Sequence, residues 1–202
     1  MLFRSGAQDL RLWAHGDLPA AAGLAAAAGF ERTRSLWQLR RPLTTPVESP
    51  QLAAGVTVRT FQAGHDEDAW LELNAAAFAS HPEQGGWTRS DLDLREREPW
   101  FDPAGFFLAE RAGRIVGFHW TKVHDEPGGA IGEVYVVGVD PAERGSGLGR
   151  ALTLTGLRHL RDRGLAQVML YVDGDNTPAI RLYESLGFSR WHTDVMYSRA
   201  GS

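Results

Sequence analysis

Residues 131–149 read IGEVYVVGVDPAERGSGLG. The first nine are apolar apart from Glu133 and Tyr135 and rich in valine, the composition of a buried strand. Arg144-Gly145-Ser146-Gly147-Leu148-Gly149 follows and opens a helical pattern that runs from Gly147 to Arg163 and stops at Gly164. A strand that hands a glycine-rich turn to a helix gathers main-chain N–H groups at the positive end of the helix dipole, a setting for phosphate or pyrophosphate. Glycine at 145, 147 and 149 lets the backbone approach a ligand with no Cβ in the way, and Arg144 and Arg150 add charge at the rim. A dinucleotide-binding match starting at Gly145 requires glycine where Arg150 stands, and a P-loop requires a lysine that is absent. A glycine-rich helix cap without a ligand is the plain alternative.

Outward from this stretch, Val56–Phe61 reads as a strand, Asp66–Ala79 as a helix, and Thr88 with Asp91 as a capping box opening a second helix that ends near Pro99. Gly105–Arg111 and Arg114–His124 form a hairpin about Ala112-Gly113. After the long helix come a strand at Val168–Val172, a helix at Thr177–Leu186 and a strand at Trp191–Arg199. The order is βααβββαβαβ over 56–199, a complete domain. RPLTTPVESPQLAAG, residues 41–55, has the composition of a linker. Ahead of it, LRLWAHGDLPAAAGLAAAAGF matches VMLYVDGDNTPAIRLYESLGF without a gap at an offset of 158 residues, aligning Leu12 with Leu170, Gly16-Asp17 with Gly174-Asp175 and Gly29-Phe30 with Gly187-Phe188. Residues 1–40 are therefore expected to be the tail of an upstream copy of the same domain.

Composition narrows the chemistry. The 202 residues are 43% hydrophobic and 23% charged, as in globular proteins. A net charge of -4 argues against nucleic acid as a partner. No apolar run is long enough to span a bilayer and no signal pattern opens the chain, so no membrane partner and a cytoplasmic location are expected. There is no cysteine, which removes thiolate metal sites and a cysteine nucleophile. His119 and His124 lie five apart on a strand and face opposite sides, so they do not pair on zinc. Glu133 is a carboxylate in an apolar strand, where desolvation favours a base; it shares a face with Tyr135 unless a bulge intervenes. A structural partner for a buried arginine or hydroxyl is the plain alternative.

The loop Arg144–Gly149, together with the element order of 56–199, resembles the GNAT acetyltransferase family, whose pyrophosphate loop runs Arg or Gln, x, x, Gly, x, Gly or Ala. The resemblance implies an α+β fold: a central mixed, mostly antiparallel sheet with two splayed parallel strands and flanking helices. It implies acetyl-coenzyme A as co-substrate and no metal. The cofactor-binding residues it implies are the loop through Arg150 and, along the pantetheine arm, Val137 and Val139, with Gly138 as the place where the strand distorts. A main-chain N–H near Val137 would hold the thioester oxygen. Tyr183, seven residues after Asn176 on one helix, takes the place of the acid that protonates the departing thiolate, and Asn176 joins the cofactor site. The upstream repeat has Ala25 and Leu18 at these two positions.

Four further runs, NAAAFASHPEQGGWT (74–88), EPWFDPAGFFLAE (98–110), GFHWTKVH (117–124) and GEVYVVGVDP (132–141), are similar to the active C-terminal copy of a tandem branch of the family. The implied acceptor is the cysteinyl amine of cysteinyl-glucosaminyl-inositol, attacked directly in a ternary complex, since no cysteine can carry an acetyl group. An α-amine with a pKa of about 8 needs modest base assistance from Glu133, which can also hold the ammonium form. A sugar face can stack on Trp120 or Trp87. Lys122, the sole lysine, can donate to hydroxyls, and His81 and Glu83 sit in the interhelical loop that lines acceptor sites in the family. Another small amine or protein N-terminus as acceptor, and a non-catalytic acyl-coenzyme A sensor, are the other readings. The parent protein is expected to be monomeric and to carry an upstream half of the same family.

Overall fold

The computed structural model describes residues 10–200, apart from the side chain of residue 82. In chain order the elements are β1 (Leu10–Ala14), α1 (Pro19–Ala27), β2 (Glu31–Pro42), β3 (Val56–Thr60), α2 (Glu67–Ala77), α3 (Pro82–Gly85), α4 (Arg89–Glu96), β4 (Phe106–Arg111), β5 (Arg114–His124), β6 (Ile131–Val139), α5 (Leu148–Asp162), β7 (Gln167–Asp173), α6 (Thr177–Ser185) and β8 (Ser189–Arg199). The strands pair both parallel and antiparallel and are flanked by helices. The short helix α3 occupies what the sequence reads as an interhelical loop. The chain divides into two compact units, one made of residues up to Arg41 with Leu170 onward, the other of Pro42–Met169.

In the larger unit the strand order is β7-β6-β5-β4-β3, with β7 contributing its first residues. β6 pairs parallel to β7 at Gly132–Val168 and Glu133–Met169, and the other pairs are antiparallel. The β4–β5 turn places Ala112 at φ 50° and Gly113 at φ 74°, the two positive angles that a tight hairpin turn needs to match strand twist. On β6, Trp120 pairs with Val136 and Thr121 with Val134, so Tyr135 is an extra residue, a β-bulge. The distortion expected at Gly138 thus lies three residues earlier. Gly138 pairs regularly with Phe118, and glycine stands there because a Cβ would lie 2.6 Å from the Phe118 ring.

One face of this sheet packs on α2 and α4 through an aromatic core. Trp70 meets Trp87, Phe106, Phe118 and Trp120 edge-on, and Phe106 stacks on both Phe61 and Trp120. Each fully buried ring contributes about 1.5–3 kcal/mol of apolar burial. The opposite face packs on α5, whose Leu148 and Leu152 meet Ala109 and Val116, with Val137 and Val139 alongside. Thr88 caps α4, its hydroxyl accepting from the Asp91 N–H while the Asp91 carboxylate accepts from the Thr88 N–H. The proline-rich stretch 42–55 is not a free tether. Leu43 and Val47 are buried, Glu48 pairs with Arg150, and Arg158 donates to the Val47 carbonyl.

In the smaller unit the order is β1-β8-β2-β7. Here the 158-residue repeat becomes geometry. α1 and α6 coincide under the offset at both ends, and the last-turn bond from the Phe30 N–H to the Ala25 carbonyl recurs from Phe188 to Tyr183. β2 and β8 pair antiparallel so that Leu36 faces its own equivalent, Asp194. The ladder is symmetric about that pair: Thr33 is a bulge on β2 and its equivalent Trp191 a bulge on β8.

Candidate active site

The turn after β6 delivers the main chain to α5 as the sequence implies. Gly145 and Gly147 have φ of 82° and 83°, and a Cβ on either would meet nothing within 4 Å, so the loop presents open backbone. Gly147 is the N-cap of α5, and no acidic side chain stands in the first turn to compete for its amides. Those first N–H groups have no intrahelical acceptor. Arg144 and Gly145–Gly147 are exposed, Leu148 anchors the turn in the core, and the Ser146 hydroxyl accepts from the Leu148 N–H. These residues fit the pyrophosphate of a nucleotide cofactor. Val137 and Val139 point to the α5 side of the sheet.

Glu133 and Tyr135 both lie on the aromatic face, as alternation gives, and the bulge brings Val136 onto the same face beside Tyr135. Glu133 is 7% exposed. Its Oε2 lies 2.6 Å from His124 Nε2, a hydrogen bond across the β5–β6 ladder. The sequence, which offers His124 only as a zinc ligand to be set aside, does not signal this partner. His119 is fully buried on the α5 side with Nδ1 2.7 Å from the Leu152 carbonyl. Burial pulls the His119 pKa down to about 4. Among the described residues no three His, Asp or Glu side chains converge as a metal site.

Beside the pair opens a cavity of about 580 Å³ lined by Pro99–Asp102, Lys122–Glu126 and Arg163. Lys122 is the direct cross-strand neighbour of Glu133, yet its ammonium lies over the Trp100 ring at 4.4 Å and near Tyr135 at 5.5 Å. Burial raises the Tyr135 pKa, with the Arg95 guanidinium opposing. Trp120 cannot take a sugar on its face. It is fully buried, stacked on Phe106 at 4.5 Å with Trp100 at 5.7 Å, so the ring available at the cavity is Trp100, which spacing alone did not single out. Trp87 is half-buried against Trp70 with Arg95 over its ring; Glu83 is exposed on α3, and His81 packs by Phe78.

Two expected site residues belong to the smaller unit. Asn176 is the N-cap of α6, its Oδ1 accepting from the Ala179 N–H, so its carbonyl oxygen already serves the helix. Tyr183 is 7% exposed, packs on Phe188, and burial pushes its pKa up to about 12.

Residues 68–188 match the model of the Acetyltransferase (GNAT) family. The chain belongs to the GNAT family. Among similar proteins, the mycothiol acetyltransferase of Thermobispora bispora is 70% identical over 198 residues, covering 96% of this chain and 67% of the relative. Those of Thermomonospora curvata and Acidothermus cellulolyticus are 66% and 57% identical, covering 93% and 100% of this chain and 63% and 65% of their own lengths. The chain thus spans about two thirds of the length of these relatives. Of solved structures, a GCN5-related N-acetyltransferase from Sphaerobacter thermophilus superposes with a TM-score of 0.79 at 28% identity, over 95% of this chain and 59% of that one. A tandem GNAT protein from the clavulanic acid pathway gives 0.72 at 19% over 96% and 64%, a likeness of fold.

Proposed function

We propose that this GNAT chain is the catalytic part of a mycothiol acetyltransferase, moving the acetyl group of acetyl-coenzyme A to the cysteinyl amine of cysteinyl-glucosaminyl-inositol. The observation that carries the reading is a buried carboxylate, Glu133, on the same strand that feeds the glycine turn, beside an open cavity walled by Lys122 and Trp100. The names and identities of the relatives support the acceptor.

In this reading the amides of the turn and α5, with Arg144 and Arg150, hold the pyrophosphate, and the pantetheine runs along Val137 and Val139. The bulge at Tyr135 interrupts the ladder where the thioester would lie. Glu133 takes the ammonium proton of the acceptor. The freed amine attacks the thioester carbonyl, the C–N bond forms and the C–S bond breaks; Tyr183 gives the thiolate its proton, the acetylated nitrogen sheds its second proton, which through solvent restores Tyr183, and Glu133 releases the first to water. Trp100 and Lys122 receive the sugar and inositol hydroxyls. Residues 1–40 are read as the end of an upstream copy, supported by the matching strand, helix and strand, and the reaction is assigned to the cytoplasm.

The test is coenzyme A release with cysteinyl-glucosaminyl-inositol, glucosaminyl-inositol and free cysteine compared side by side. A preference for the first is expected. Equal rates would point to another amine, and no release with any amine despite acetyl-coenzyme A binding would make the domain a sensor.

A further inference from the structure

The Glu133 carboxylate sits in a nearly dry strand and still has to turn one oxygen toward an acceptor. A carboxylate with two free oxygens in such a place would rotate or draw in the nearest cation. The nearest candidate by register is Lys122, directly opposite on β5, but its ammonium is diverted onto the Trp100 and Tyr135 rings. The group that does reach Glu133 is diagonal in the ladder: His124, paired with Ile131 and therefore two residues along, comes within 2.6 Å of Oε2. Its ring is 27% exposed and lines the cavity, whereas the Glu133 side chain is 9% exposed behind it. Asp125, Glu126 and the Asp102–Arg163 ion pair face the same space.

We infer that His124 is the positioning residue of the base: its Nε2–H occupies Oε2 of Glu133 and so reserves Oε1 for the acceptor's ammonium. The imidazole edge supplies one directional donor to a single oxygen, whereas a lysine ammonium in the same place, with three rotatable donors, would reach both. The diversion of Lys122 onto aromatic faces and the approach of His124 are then two halves of one arrangement. This inference rests on Glu133 acting as the base.

The experiment is a set of single and paired substitutions assayed with acetyl-coenzyme A and the thiol-sugar amine. His124→Leu removes the donor at similar size; His124→Gln keeps an N–H near the position of Nε2. We expect His124→Leu to lower kcat on the order of tenfold with the acetyl-coenzyme A KM unchanged, and His124→Gln to recover most of that loss. In a Glu133→Gln background His124→Leu should cost nothing further, because the group it positions is gone. A His124→Leu enzyme of native melting temperature and full kcat overturns the inference, as do additive losses in the double variant. If His124→Leu fails to fold, His124→Ala, alone and combined with Glu133→Gln, decides by the same criteria. Should the wild-type protein prefer a different amine, the series is run with that amine; the acceptor assignment then fails while the positioning role stands or falls by itself.

Discussion

At the scale of single residues, the tryptophans divide the labour of the site in a way that their spacing conceals. Trp120 sits between Phe106 and Trp100 with no exposed surface, so Trp120→Ala should cost about 3–5 kcal/mol in chemical denaturation. Trp120→Phe, by contrast, should leave the acceptor KM unchanged. Trp100→Ala is expected to raise the acceptor KM several-fold at constant acetyl-coenzyme A KM, since its ring lines the cavity and carries Lys122; an unchanged acceptor KM would remove Trp100 from the acceptor site. Tyr183, held protonated by burial that lifts its pKa to about 12, is available as a donor throughout the neutral range. Tyr183→Phe should therefore lower kcat more than it weakens acetyl-coenzyme A binding, and a full kcat in stopped-turnover assays would end its role as acid.

At the scale of elements, much was legible because local chemistry punctuates the chain. The capping box at Thr88, the turn at Ala112-Gly113 and the stop at Gly164 fall where the residues place them. What the sequence could not show was set by partners on other strands. The bulge at Tyr135 is a register shift between β5 and β6, and the His124–Glu133 bond joins residues nine apart in a diagonal that only the register reveals. α5 carries a further liability of this kind. Gly156 lets it settle onto His119, where a Cβ would lie 2.1 Å from the ring, and that imidazole is neutral with a pKa near 4. Between about pH 6.5 and 4 the unfolded chain binds a proton there that the folded chain refuses. Stability should accordingly fall as the pH drops through that window, by up to about 3 kcal/mol from this one group. Melting curves of the wild type and His119→Gln across the range check it; identical slopes would assign the acid sensitivity elsewhere.

At the scale of the whole molecule, the repeat matters more than the boundary expected at residue 56. β8 takes its antiparallel partners from β1 on one side and β2 on the other, so the C-terminal strand is completed by residues that precede the 41–55 stretch. A version of the chain beginning at residue 52 should show fast amide exchange in 189–199 and a tendency to self-associate through the bared edges. Slow exchange there in a monomer would mean that β8 finds order without them. The same pairing sets a clock on synthesis. Leu10 meets Arg199, and β2 is finished some 150 residues before β8 exists. At about 5–20 residues per second, β1 and β2, with Leu12, Ala25 and Phe30 not yet covered by Val195 and Tyr197, wait roughly ten to thirty seconds on the ribosome for the strand that belongs between them.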